Sequence, residues 1–195
     1  RIGKSKRSWA EAELVELVGP SPERIEPVAP HPGAPWQVLP YERQLEENGD
    51  KIDAALKSEV EASELAGFFI PATPEIDAKM AFARQCGDEM KHYHLISKRL
   101  AELCHDLAGF DPLEDGYSPR YHYLKGLKST VERVAGGPFA REAIAEVRNA
   151  QFIALCERQG DEGTARLYRE IIQPEEIHHH RLGRELLEAL CTTPE

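Results

Sequence analysis

A glutamate and a histidine three residues apart occur twice in matching surroundings, as Glu89-Met-Lys-His92 and Glu176-Ile-His-His179, 87 residues further on. Each pair lies in a run with helical apolar spacing, so carboxylate and imidazole share one helix face about a turn apart. That is metal-ligand spacing, and it requires long helices that turn these groups inward. Sliding the chain by 87 also superposes Glu59 on Glu146, Val60 on Val147, Asp88 on Glu175, Leu95 on Leu182, Leu100 on Leu187, Leu103 on Leu190 and Cys104 on Cys191. The chain therefore reads as a duplicated helical hairpin.

A second regularity selects the remaining ligands. Glu59 precedes Glu89 by 30 residues and Glu146 precedes Glu176 by 30, and the midpoints, Pro74 and Asp161, fall in the turn segments Pro71-Ala-Thr-Pro74 and Gly160-Asp-Glu-Gly163. If each hairpin folds at its midpoint, Glu59 stands level with Glu89 and Glu146 with Glu176. Four carboxylates and two imidazoles then meet at one height in a bundle. The chain holds four Glu-x-x-His matches, so the motif alone is weak. Glu102/His105 has no repeat and reads as surface. Glu175/His178 is set aside because its equivalents are Asp88 and Lys91, and lysine is no ligand at neutral pH. Glu61 and Glu64, the rivals of Glu59, fall on Arg148 and Gln151. Asp88 and Glu175 are candidates to hydrogen-bond the second nitrogen of a ligand histidine on the facing helix.

Apolar periodicity and breakers place helices at 41–70, from Pro74 to near Gly109, at about 139–158 and at about 164–190. Thr73 is the expected N-cap of the second. Pro174 interrupts the fourth and should loosen or kink it one turn before the ligands. Between the second and third helices lies a connection of nearly thirty residues, with a turn at Asp111–Gly116, a short helix over 121–134 and a stop at Gly136-Gly-Pro138. A connection of that length lets the third helix run parallel to the second. The expected fold class is all-α. Residues 1–40 form a separate arm, with a short amphipathic helix over 9–18 followed by Pro20, Pro22, Pro27, Pro30, Pro32, Pro35 and Pro40, which favour extended chain. Residues 41–195 form the helical domain.

Composition narrows the function. A net charge of −10 speaks against a nucleic-acid surface, despite the basic stretch from Arg1 to Arg7. No apolar run is long enough to span a membrane. The four cysteines form no CxxC pair, and no signal-peptide core follows Arg1, so a reducing cytoplasm is the expected location. Tyr93, Tyr168 and Phe152 read as core fillers, and Cys86 as a small buried hydrophobe.

One Glu from each of two helices and Glu-x-x-His from each of the other two is a donor set that resembles the ferritin-like di-iron carboxylate superfamily, across about residues 41–191. The stretch from Glu146-Val-Arg-Asn-Ala-Gln-Phe152 to His179 is similar to MiaE-type tRNA hydroxylases, and Glu59-Val-Glu-Ala-Ser-Glu-Leu65 to an uncharacterised bacterial ferritin-like family. The resemblance implies a ferritin-like four-helix bundle with a long crossover between its second and third helices. It implies two iron ions, with manganese the alternative, held by Glu59, Glu89, His92, Glu146, Glu176 and His179, with Glu89 and Glu176 as bridges. The expected function is a di-iron oxidoreductase using dioxygen or peroxide, an electron donor and a small organic substrate, in a chain that can form a homodimer. A ferroxidase and a metal-free helical interaction module are the alternatives.

Overall fold

The computed structural model describes residues 2–6, 9–12, 52–103 and 105–191. From residue 52 onward its regular structure is helical. Helix α1 spans Ile52–Ala72, α2 Ile76–Glu102, α3 Pro119–Lys125 and α4 Thr130–Val134. A π-helical segment, Ala135–Arg141, leads directly into α5, Glu142–Gln159. After Gly160 come α6, Glu162–Leu167, a second π-helical segment, Tyr168–Ile172, and α7, Gln173–Leu190. At the N-terminus, β1 (Ile2–Lys6) pairs antiparallel with β2 (Trp9–Ala12), where helical turns were expected from Trp9. The proline-rich remainder of the arm lies outside the described residues, as does the first part of the helix expected from residue 41.

Side-chain contacts fix the helix directions. Ser63 Oγ of α1 donates to the Cys86 carbonyl of α2 at 2.9 Å, while Glu59 reaches His92, so α1 and α2 are antiparallel. Gln85 meets Glu142 and Arg99 meets Asp161, so α5 runs parallel to α2. Asp88 pairs with His179 and Lys91 with Glu175, so α7 returns antiparallel to α2. The connection that makes the parallel pair possible is pinned to α1. Glu61 accepts from Ser118 N and Ser118 Oγ at 2.5 and 2.6 Å, and Tyr117 donates to Glu64. The two rivals of Glu59 are thus occupied in holding α3, whose Tyr121 and Leu124 enter the core.

The core is divided along the helix axes. One cluster contains Leu65, Phe69, Phe82, Val134 and Leu186, the other Leu56, Ile96, Tyr168 and Ile172. Glu59, residues 85–92 and residues 176–179 lie between them in sequence on α1, α2 and α7, so a polar layer separates two apolar ones. Phe69 fills the core while Phe68, which helical spacing favoured, is 42% exposed. Tyr168 is a core residue, its ring set edge-on to Phe152.

Several boundaries differ from the sequence reading, and α2 ends at Glu102 rather than near Gly109. Helix α2 is N-capped by Glu75, whose carboxylate accepts from Thr130 Oγ1 at 2.6 Å, and Thr73 is buried in the turn. The 121–134 helix is two helices, each opened by a serine cap, Ser118 and Ser129. Gly136-Gly-Pro138 does not end the second. Proline lacks an N–H and its ring crowds the carbonyl four residues back, and widening to a π turn lets the chain continue. The same widening precedes Pro174, which sits in the first turn of α7.

Gly183 is where this passage is packed most tightly. A β-carbon there would lie 2.8 Å from Phe139 N and from the Pro138 carbonyl carbon, both backbone atoms that cannot swing aside. Gly183→Ala should therefore destabilise the protein by roughly 1–3 kcal/mol. Gly87→Ala, on the exposed side of α2 with open space around the new methyl, should stabilise it by about 0.5–1 kcal/mol. Chemical denaturation of both variants in the presence of a chelator measures the contrast.

Candidate metal centre

The polar layer holds four buried carboxylates and two buried imidazoles. Glu59 comes from α1, Glu89 and His92 from α2, Glu142 from α5, and Glu176 and His179 from α7. Their donor atoms fall into two overlapping groups, each mutually within 4.8 Å: Glu59, Glu89, His92 and Glu176, and Glu89, Glu142, Glu176 and His179. Glu89 and Glu176 belong to both. His92 Nδ1 stands 3.5 to 3.6 Å from oxygens of Glu59, Glu89 and Glu176. His179 Nδ1 stands 3.6 Å from Glu176 and 3.9 Å from Glu89. These separations are long for hydrogen bonds and close to the roughly 3–3.5 Å between two donors that each sit about 2.1 Å from a shared ion.

The other ring nitrogens are committed elsewhere. His92 Nε2 is 2.8 Å from Glu175 Oε2, and His179 Nε2 is 3.1 Å from Asp88 Oδ2. An acid accepting from Nε2 keeps a proton there and turns Nδ1 inward, as the nitrogen that could bind a metal once any proton on it is displaced. Lys91 joins the two arrangements, donating to Glu175 at 2.5 Å and to Asp88 at 3.2 Å. On the far side Arg141 Nη1 donates to Glu142 at 2.7 Å and to Glu89 at 3.3 Å, and Gln85 Nε2 donates to Glu142 at 2.6 Å.

Five of the six sequence-derived ligand candidates are brought together, and Glu146 is not. It lies one turn beyond Glu142, partly exposed, and its backbone carbonyl accepts from Gln173 Nε2 at 3.0 Å. Residues four apart share a helix face, so periodicity cannot separate Glu142 from Glu146. Equal hairpin legs would separate them only if both legs were uniform α-helices, and the return leg contains a π-helical segment. Glu142 has no counterpart in the 87-residue repeat, where Ala55 stands. In a helix starting near Phe139 it would also read as an ordinary first-turn acid, favoured by the helix dipole. Because the rod continues backward through the π-helical segment, Glu142 instead lies within it. Arg141 and Gln85 were not anticipated either; only the need to compensate so many buried acids pointed to such groups.

Four acids this close cannot all be ionised without cations. Burial lifts the Glu59 carboxyl to about 8, with His92 pulling the other way. Burial and repulsion from Glu89 lift Glu176 to about 7. Burial also drives Glu142 well above the usual range, against the pull of Arg141. At Glu89 burial acts in the same sense but is outweighed by Arg141 and His92, which hold it below its ordinary value. Burial disfavours the His92 cation, yet Glu59 and Glu89 prevail and push the ring up to about 11. In the absence of metal the layer is therefore protonated at neutral pH on several groups that a divalent ion would need free.

No protein-family model, curated protein or solved structure matches the chain. What the structure itself defines is a chain that is helical from residue 52 onward, with a buried Glu/His cluster that could hold a metal ion.

The raised carboxyls set a pH dependence. Glu59 and Glu176 bind protons in the folded state that the unfolded chain, at about 4.5, releases. Folded-state stability should thus fall as pH rises from about 4.5 towards 8. The His92 contribution, complete below about 6.5, is lost as pH rises through 6.5 towards 11, in the same direction. Glu89 acts oppositely, contributing above its unfolded value and losing that contribution only in acid. Thermal melts in chelator should show the transition temperature dropping from pH 5 to pH 8, and Glu59→Gln should flatten the slope. Added divalent metal should reverse the trend, because binding displaces those protons. A chelated protein that gains stability across this range would contradict the assignment.

Proposed function

We propose that this protein is a non-haem di-metal oxidoreductase of ferritin-like architecture, with two iron ions, or manganese, in the buried layer. The observation that carries this reading is a set of buried atoms without hydrogen-bond partners: Glu59 Oε2, Glu89 Oε2, Glu142 Oε2, Glu176 Oε2, His92 Nδ1 and His179 Nδ1. Buried polar atoms left unpaired are costly, and here they are the atoms two neighbouring ions would bind. Glu59 and His92 would serve one ion, Glu142 and His179 the other, and Glu89 and Glu176 would bridge. A metal-free interaction module would leave all six unsatisfied. The parallel arrangement of α2 and α5 across a long connection also supports the ferritin-like topology.

Bound iron would supply electron transfer to dioxygen or peroxide. The chain contributes the rest. Its two apolar layers shut water from the carboxylates, Asp88 and Glu175 fix the histidine tautomers, and Arg141 and Gln85 hold Glu89 and Glu142 in place. Mixed carboxylate and imidazole donors suit iron or manganese. We propose a small organic substrate and a separate electron donor, in a reducing cytoplasm. Cys86, Cys156 and Cys191 are free thiols, and no helix among the described residues is long and apolar enough to cross a membrane.

Anaerobic titration with ferrous ion should saturate at two ions per chain. Glu142→Gln should lose one of them, whereas Glu146→Gln should retain both, and His179→Ala should weaken binding by about 10- to 100-fold or more. Equal loss in the Glu142 and Glu146 variants would overturn the ligand set. Admitting air should produce one stoichiometric oxidation that stops. Continued ferrous oxidation with mineral growth would instead mark a ferroxidase, the reading that the acidic net charge of −10 favours.

A further inference from the structure

The arginines beside the cluster exceed what metal binding needs. Two divalent ions would balance the four carboxylates and leave the Arg141 guanidinium uncompensated in a buried layer. The outer acids do not cover it, because Asp88 is matched by Arg84 and Glu175 by Lys91. Two further guanidiniums stand outside Arg141. Arg148 follows it by seven residues, about two turns along one face of the rod, and Ala145 and the half-exposed Ile144 lie between them. Arg120 lies in the first turn of α3, two residues after Ser118, which Glu61 ties to α1, and Arg141 Nη2 reaches the Ser58 carbonyl of that same helix. Arg120 and Arg148 are exposed, and among the described residues neither makes a hydrogen bond or ion pair.

Ser58 and Glu61 lie one turn apart on α1, so Arg141 and the start of α3 with Arg120 meet the same stretch of that helix. Loss of surrounding water, then repulsion by Arg141 and Arg148, hold the Arg120 guanidinium below its usual range against the pull of Glu61 and Glu142. Arg120 and Arg148 have no carboxylate at ion-pair distance among the described residues, and Arg141, paired with Glu142 and Glu89, would join them once ions neutralise those acids, so like charges gather on a chain of net charge −10. Arg141 also borders a cavity of about 10 Å³ whose other walls include Ala62, Phe82, Gln85 and Gly137. That is space for about one water, too little for a carboxylate or phosphate head, which would have to meet the planar guanidinium from outside the cavity.

We propose that Arg120, Arg141 and Arg148 form the mouth of the site and bind the carboxylate or phosphate head of a small organic anion. Arg120 and Arg148 need no metal for this; the share of Arg141, paired with Glu142 and Glu89 when no ion is bound, and the identification of the anion as the substrate rest on the di-metal reading. Guanidinium–oxyanion hydrogen bonds are charge-assisted, so an anion should bind roughly ten-fold or more tightly than its uncharged isostere.

Butanoate and butanamide, titrated by calorimetry or ligand-observed NMR against metal-free and zinc-loaded protein, provide the probe. Butanoate should bind more tightly in both states, and the preference should weaken with salt. Arg120→Gln/Arg148→Gln should abolish the preference while still binding two zinc ions, since neither residue is a ligand. Arg120→Lys/Arg148→Lys should retain part of it. Equal binding of acid and amide by the wild type, or an unchanged preference in the glutamine variant, would overturn the proposal. If zinc fails to load but the acid is still preferred and the glutamine variant loses that preference, the anion site stands and only the metal reading falls.

Discussion

The structure depends on holding four carboxylates in one water-poor layer. Glu89 and Glu142 are fully buried, and Glu59 and Glu176 nearly so. Each would be ruinous alone. They persist because a guanidinium, an amide and two imidazoles enter the same layer, and because several of the acids retain protons. Most of the inward polar chemistry of α1, α2, α5 and α7 follows from that requirement. The apolar clusters on either side give the layer its low dielectric and fix its height. A site of this kind is a strained compromise without ions, with its donor atoms oriented but unpaired.

The two π-helical segments belong to the same economy of space. Each immediately precedes a helix that contributes an acid to the layer, Ala135–Arg141 before Glu142 and Tyr168–Ile172 before α7 with Glu176. Each also accompanies a proline, Pro138 or Pro174. A π turn changes the angular phase of everything after it, so side chains that a uniform helix would aim elsewhere are re-aimed here. Around the first segment the rod comes so close to α7 that only a glycine fits at 183, and that contact lies one turn beyond His179. The prolines therefore act less as stops than as places where helical phase is reset next to the site.

Much of the site was legible in the sequence because its spacing is set by helix geometry. Glu89/His92 and Glu176/His179 were visible as pairs, and Glu59 was selected by its distance from the turn. The crossed hydrogen bonds of Asp88 and Glu175 followed from their positions beside the ligand acids. Glu142 was hidden for two reasons. It has no partner in the repeat, and Gly136-Gly-Pro138 looks like a helix boundary that would make it a terminal acid. The continuity of that rod depends on a π turn, which no pattern of residue types announces. The strand at Trp9–Ala12 was missed in the same way, since four residues carry too little periodicity to tell helix from extended chain.

The duplication explains why the halves need each other. The acid of the first hairpin, Asp88, orients the histidine of the second, His179, and the acid of the second, Glu175, orients His92 of the first. Neither hairpin could hold its own imidazole in ligand geometry unless the other was docked. Lys91 breaks the symmetry, because it contacts both acids from one side while its equivalent, His178, does not take that role. Arg141 breaks it again on the opposite side, where the corresponding residue would be Ala54. A centre built from two equal halves thus acquires two unlike faces. One is closed by a lysine clamp, and the other carries the largely buried Arg141, with Arg120 and Arg148 exposed.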